Sequence, residues 1–162
     1  MSALIGAGLA LGEYTLENLD SELGKEWQSG DIKVRLVKSV AQITTADNKI
    51  VVDTFSSGVR ANAVQTTTSA GALYVAGVIP TMNEADIPAN AYFLLIVEGP
   101  VTIQNVDATP ADGDYLGTST TAGDADTVTV TAATDLDKAP LRQHGATDGT
   151  TFEAQAILRK VI

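Results

Sequence analysis

Apolar residues recur mainly at every second position along this chain, the period of a strand, and only once at helical spacing. Ile32, Val34 and Leu36 alternate with Lys33, Arg35 and Val37, which predicts a strand with one buried face. Ile50-Val51-Val52 precedes Phe55 and follows the polar turn Ala46-Asp47-Asn48, so two strands joined there by a hairpin are expected. Leu73 to Ile79 is a third apolar run, stopped by Pro80. Tyr92 to Val97 is apolar on both faces and predicts a central strand, after which Glu98-Gly99-Pro100 turns the chain into Val101-Thr102-Ile103. Thr127 to Thr131 alternates strictly. Phe152 to Arg159 also alternates, and a terminal segment this apolar is expected to be stitched into a sheet.

The one helical spacing is Leu16, Leu19 and Leu23, within a predicted short helix from Thr15 to Leu23 that has Thr15 as N-cap and Gly24 as stop. Twenty threonines and 14 glycines supply exposed strand faces and turns. The pattern therefore predicts an all-β fold, a compact β-barrel or β-sandwich with an N-terminal arm and one short helix. The arm and helix occupy residues 1–30 and the β-domain residues 31–162.

Composition narrows the picture. The chain has 162 residues, 44% of them hydrophobic, enough for one core without metals or disulfides. Aromatics are only 5%, so that core has to be built from Val, Ile, Leu and Ala. No cysteine is present, which excludes a disulfide scaffold, a thiolate metal site and cysteine catalysis. Ten basic against twenty acidic residues give a net charge of −10, the wrong sign for nucleic acid or an anionic membrane. Met1 to Leu11 is apolar, but no base precedes it and it is too short to span a bilayer, so a chain made without a cleaved leader is expected.

The charges are unevenly placed. No Lys or Arg occurs between Ala61 and Asp137, a stretch that holds ten acids. Most are expected to serve turns, where an Asp side chain bonds the local backbone. A functional reading makes them one acidic face, with the basic residues gathered elsewhere to meet a partner.

Candidate chemistry is sparse. Gly6-Ala7-Gly8-Leu9-Ala10-Leu11-Gly12 approximates a dinucleotide fingerprint, but no strand of useful length precedes it and no βαβ unit follows, so a small-residue arm is expected. The single histidine, His144, lies among glycines and reads as a surface loop. Asp112-Gly113-Asp114 and Asp124-Ala125-Asp126 have the carboxylate spacing of calcium loops without the rest of that pattern, and read as turns. The chain is therefore expected to be no enzyme and to need no cofactor.

A resemblance enters in the middle of the chain. Gly71-Ala72-Leu73-Tyr74-Val75-Ala76-Gly77-Val78, then Ile87-Pro88-Ala89-Asn90, Ile96-Val97-Glu98-Gly99-Pro100-Val101 and Ala111-Asp112-Gly113-Asp114-Tyr115-Leu116-Gly117-Thr118 resemble small tailed-phage capsid decoration (cement) proteins. Ala139-Pro140-Leu141 and the closing strand continue the likeness, which covers roughly residues 58 to 160. The resemblance implies a virion protein on the outer capsid, bound to the major capsid protein as a homo-oligomer, often a trimer. Rival structural readings are a head fibre base, a neck or a tail-tube component. From another class come a small trimeric β enzyme, which would need bases for phosphate, and a carbohydrate-binding module, which would need more exposed aromatics.

Three groups of residues carry the expected contacts. The two-sided run Tyr92 to Val97 is more than one small barrel is expected to cover, which predicts a homo-oligomer, with a trimer preferred. Lys33, Arg35 and Lys38 are candidates to face an acidic partner surface. Leu4, Ile5, Leu9 and Leu11 sit in an uncharged arm, and burying them yields about 6–12 kcal/mol before ordering costs, at roughly 1.5–3 kcal/mol each. Fixing the backbone of the arm costs on the order of 11–22 kcal/mol, so order requires added hydrogen bonds, from its own domain or from a neighbour.

Overall fold

In the computed structural model, which describes residues 4–103, 110–143 and 154–158, the chain is built almost wholly of strands. The N-terminal segment holds β1 (Leu4–Gly6), β2 (Leu9–Ala10), β3 (Tyr14–Thr15) and β4 (Glu26–Ser29). Next come β5 (Ile32–Ser39), β6 (Ile50–Ser56), β7 (Val59–Gln65) and β8 (Val75–Val78). The long β9 (Tyr92–Ile103) leads to β10 (Tyr115–Thr118), β11 (Ala125–Thr127), β12 (Leu141–Gln143) and β13 (Ala154–Leu158).

Five of these strands close a ring. β9 pairs with β5 and β8, β8 with β6, and β6 with β7. β7 then returns to β5 in parallel through Lys38↔Ala63 and Ser39↔Val64. Closure leaves these strands few unpaired edges. Beyond Glu98, β9 leaves the ring and pairs with β13, from which β12, β10 and β11 extend the sheet. The C-terminal strand is thus stitched between β9 and β12, as its alternation predicts.

β9 is the centre of the fold, and the reason is its two apolar faces. Tyr92, Leu94 and Ile96 join one core layer with Val34, Leu36 and Ile50. Phe93, Leu95 and Val97 join a second with Val37, Val51 and Ile79. No residue from Tyr92 to Val97 is more than 8% exposed, so the single chain covers the run that suggested an oligomer. The first layer also receives Leu9 and, at its margin, Leu19, Leu23 and Trp27, so the N-terminal segment packs on the ring.

Four local expectations change. The Thr15–Leu23 helix is reduced to a 3-10 turn, Asp20–Glu22, because Leu19 and Leu23 are drawn onto the core layer while Leu16 stays 64% exposed. β5 and β6 are not a hairpin, since Ile43 and Ala46 between them are pulled into the second layer and Ile43 bridges to Ile87. The hairpin forms instead between β6 and β7, where Ser57 and Gly58 take φ of +51° and +79°, both positive as a tight two-residue turn requires. Thr127 to Thr131 is strand only to Thr127, because the Asp135 carboxylate accepts from the Thr131 and Ala132 amides and bends the chain into the turn Ala133–Lys138.

The fourth change is at Glu98-Gly99-Pro100, which bends β9 without ending it. Gly99 has φ +110°, and a Cβ there would stand 2.4 Å from the Asp31 carbonyl oxygen. At Gly77 in β8 a Cβ would meet the Ile96 carbonyl oxygen at 2.2 Å. Both glycines exist because backbone passes where a side chain would stand. Gly77→Ala and Gly99→Ala should each destabilise by more than about 2 kcal/mol through forced displacement. Gly58→Ala, at positive φ but with open space around it, should cost only about 1 kcal/mol. Urea unfolding of the three variants checks the order.

Candidate functional site

Among the described residues, a buried charged cluster lies where β5, β6 and β7 meet. Asp53 on β6 is fully buried at its side chain and is held by two guanidiniums. Arg35 Nη2 on β5 donates to both carboxylate oxygens, at 3.0 and 3.2 Å, and Arg60 Nε on β7 lies 2.9 Å from Oδ2. β5 and β6 are not hydrogen-bonded neighbours, so the Arg35–Asp53 pair ties together strands that the ladder does not. Burial holds the Asp53 carboxyl above its ordinary pKa, while the two guanidiniums pull the other way.

The three basic residues expected to form one partner-facing patch are not brought together as one. Arg35 is only 4% exposed and is consumed by Asp53. Lys33 Nζ lies 3.2 Å from Glu98 Oε2. Lys38 Nζ lies 3.6 Å from Asp20 Oδ1 and 5.0 Å above the Tyr92 ring. The Tyr92 hydroxyl donates to Asp20 Oδ1 at 2.6 Å, so this trio clasps the 3-10 turn to the ring. That hydrogen bond, followed by Lys38, holds the Asp20 carboxyl below its ordinary pKa. Charge reversal of all three bases would therefore strike the core at Arg35 and could not leave the fold intact.

The N-terminal candidates divide in the same way. β1 pairs with β2 through Leu4↔Ala10 and Gly6↔Leu9, so the small-residue arm is a hairpin. Leu9 is 7% exposed within the first core layer and Leu11 packs at its margin. The side chains of Leu4 and Ile5 lie outside the described residues, as does His144.

Part of the acidic stretch serves turns: Asp114 accepts from the Ala111 amide, Asp126 from that of Thr127 and Asp135 from those of Thr131 and Ala132, whereas Asp86 accepts from the distant Thr45 amide. Among the described residues no three His, Cys, Asp or Glu side chains gather as metal ligands would. An open polar groove runs between Gly113-Asp114-Tyr115 and Thr127–Val130, with the Arg142 guanidinium 5.7 Å from the Tyr115 ring. Phe55 and Tyr74 are large, apolar and exposed, and their rings pack edge to face with centroids 4.6 Å apart, with Arg60 opposite Phe55 in the β6–β7 hairpin.

No protein family matches the sequence, and no curated protein matches it. Among solved structures, the fold is similar to the crystal structure of the head fibre gp8.5 N base of bacteriophage phi29. The TM-score is 0.51 at 5% sequence identity, over 78% of this chain and 93% of that one. The likeness is one of fold.

Removing the Asp53 charge should be the costliest change in this region. Asp53→Asn leaves two guanidiniums without their counter-charge, at about 3–5 kcal/mol. Arg35→Met leaves Asp53 paired with Arg60 and should cost roughly half of that or less. Chemical denaturation of both variants checks the asymmetry. The clasp carries a pH signature: because Asp20 has a lowered folded pKa, its stabilisation is present above about pH 4 and lost as pH falls through the lower folded value. Asp20→Asn should show a flatter acid limb than the native chain in thermal unfolding from neutral pH to pH about 2.

Proposed function

We propose that this chain is a structural protein of a phage head, serving as the seat of a head fibre on the outer surface of the shell. The supporting observation is the fold likeness, which covers 93% of the fibre base and 78% of this chain. The composition suits the work: it calls for a stable β-domain and a contact surface, and for no cofactor or catalytic group. The titratable side chains at the heart of the ring act in structure, with Asp53 balancing two arginines and Asp20 clasping a turn. The partner in this reading is the major capsid protein.

The sequence resemblance over residues 58 to 160 favours a second reading, a decoration protein that reinforces the shell. Both readings place the same domain on the same surface and differ in what its loss does. A fibre base should leave heads of unchanged heat resistance that lack projections. A decoration protein should leave heads that rupture at lower temperature. In either case the N-terminal hairpin is the proposed attachment element, since β1 pairs with β2 alone among the described strands. Leu9 belongs to the core, so the truncation that tests attachment must stop before it.

Purified protein should co-sediment with heads that lack it, and a chain without residues 1–8 should stay folded but remain in the supernatant. Failure of the full chain to bind heads would sink both readings. Equal binding by the truncated chain would move the attachment elsewhere on the domain.

A further inference from the structure

We propose that one end of the five-stranded ring binds a carboxylate-bearing sugar, with Arg60 holding the carboxylate and the rings of Tyr74 and Phe55 holding the sugar. The second core layer draws on all five ring strands, through Val37, Val51, Val64, Ala76 and Phe93, so it is the interior of the ring. Arg35, two residues before Val37, and Asp53, two residues after Val51, continue that interior face toward one end, where Arg60 joins them. Phe55, two residues beyond Asp53, stands opposite Arg60 in the β6–β7 hairpin. Tyr74, two residues before Ala76, brings its ring to Phe55 from the β8 side of β6. The aliphatic interior thus ends in an ion cluster with two aromatic rings at its rim, and barrel mouths are favoured places for ligands.

The ion cluster has more donors than acceptors. Both Asp53 oxygens receive Arg35 Nη2, and Arg60 Nε closes on one of them at 2.9 Å. Arg35 Nε is buried without an acceptor. Two guanidiniums against one carboxylate leave one unit of positive charge, and solvent reaches it at Arg60, whose side chain is 26% exposed. Asp53 fixes the Arg60 fork through Nε, and among the described residues no other hydrogen bond engages its remaining N–H groups. A guanidinium held in this way is positioned for a planar carboxylate. Residues 54–83, which bear Phe55, Arg60 and Tyr74, contain no Asp or Glu to compete for it, in a chain that has twenty. One surplus charge matches a carboxylate and falls short of a phosphate monoester, which carries about 1.5 to 2.

The rings decide what bears the carboxylate. Tyr74 is 54% exposed and Phe55 43%, so at about 150–250 Å² per side chain they show roughly 200 Å² between them. A stable protein interface takes about 800 Å² from each partner, so this surface fits one or two sugar rings and not a protein. The two planes meet at 63°, which makes a corner and not the parallel slot that would sandwich a flat base. A pyranose lays its C–H face on a single aromatic face and needs no slot. Arg60 and Phe55 are cross-strand partners, with Cβ atoms about 5 Å apart, within the span of a carboxylate and the sugar ring that carries it. Tyr74 stands at φ +66°, uncommon for any residue but glycine, and its carbonyl accepts from the Asp53 amide at 3.0 Å. The contact that steadies Asp53 therefore also sets the Tyr74 ring, and strain of this kind is retained where something over-determines it. The ligand class is a uronic acid in a short saccharide, and the site does not depend on the phage-head reading.

Titration of the full chain with trigalacturonate, followed by NMR through the ring protons of Phe55 and Tyr74, tests the idea. Saturable shifts of both rings are expected, weakened by salt because part of the contact is charged. Maltotriose, which has sugar rings without the charge, and acetate, which has the charge without the rings, should each bind at least about tenfold more weakly. Tyr74→Gly and Arg60→Gln should each weaken trigalacturonate at least about tenfold, and Tyr115→Ala, on β10, should leave it unchanged. Tyr74→Gly relaxes the backbone as it removes the ring, so it should keep a cooperative transition at or near the native midpoint, which separates lost binding from lost folding. No saturable shift in the native chain, equal affinity for maltotriose, acetate or inorganic phosphate, or variants at Arg60 and Tyr74 that bind like the native chain would each overturn the proposal.

Discussion

A strand that is apolar on both faces must be covered on both, and most of this fold is a response to that requirement in β9. Ile32–Ser39 pairs along one edge of its first half and Val75–Val78 meets the other, while two separate core layers form above and below. Burying six large side chains in one strand contributes about 9–18 kcal/mol before ordering costs, at roughly 1.5–3 kcal/mol each. Among the described residues no other segment supplies as much from so few side chains. The strand's second half then carries the same backbone out of the ring to receive β13, so one continuous ladder holds both parts of the sheet.

The close packing that this arrangement needs explains two features that would otherwise look like weaknesses. Gly77 and Gly99 stand where other backbone passes within van der Waals range of an absent Cβ, so a loss of intrinsic strand propensity is accepted for approach. The Arg35–Asp53–Arg60 cluster is the second. A buried ion pair is not in itself a strong source of stability, because desolvation offsets much of the Coulomb attraction. Its use here is positional: the parallel β5–β7 contact is only two residue pairs long, and the shared carboxylate joins β5, β6 and β7 near that short seam. A hydrophobic triplet could fill the space without fixing which strand lies beside which.

Much of the fold was legible because period-two patterning is a direct image of a sheet with defined faces. Ile32 to Leu36 and the closing strand read correctly for that reason, and Tyr92 to Val97 because a short run apolar on both faces fits a central strand. The errors occur where tertiary contacts overrode a local pattern. Leu16, Leu19 and Leu23 have helical spacing, but packing took Leu19 and Leu23 and left Leu16 to solvent. Thr127 to Thr131 has strand alternation, but the Asp135 carboxylate captured its last amides. The candidate contacts were less legible still. Lys33, Arg35 and Lys38 look alike in sequence, and only the fold shows that Asp53, Glu98 and Asp20 already engage them. Pairing partners at separations of eighteen residues or more leave no local trace.

The absence of acids from residue 54 to residue 83 is not an absence of turns, and that distinction gives it weight. Elsewhere in this chain aspartate carboxylates accept backbone amides, within turns at Asp114 and Asp135 and across the fold at Asp47 and Asp86. Within the acid-free stretch the chain makes at least three left-handed excursions at residues other than glycine, at Ser57, Asn62 and Tyr74. Asp would serve at such positions, and Asp-Gly is a favoured pair for a two-residue hairpin turn of the kind that Ser57-Gly58 forms. Outside the stretch that task likewise falls to residues other than aspartate, at Ala7, Thr45, Asn48 and Asn90. Left-handed backbone and amide capture are thus separate jobs in this chain, the first done by small or amide side chains and by Tyr74, the second by carboxylates.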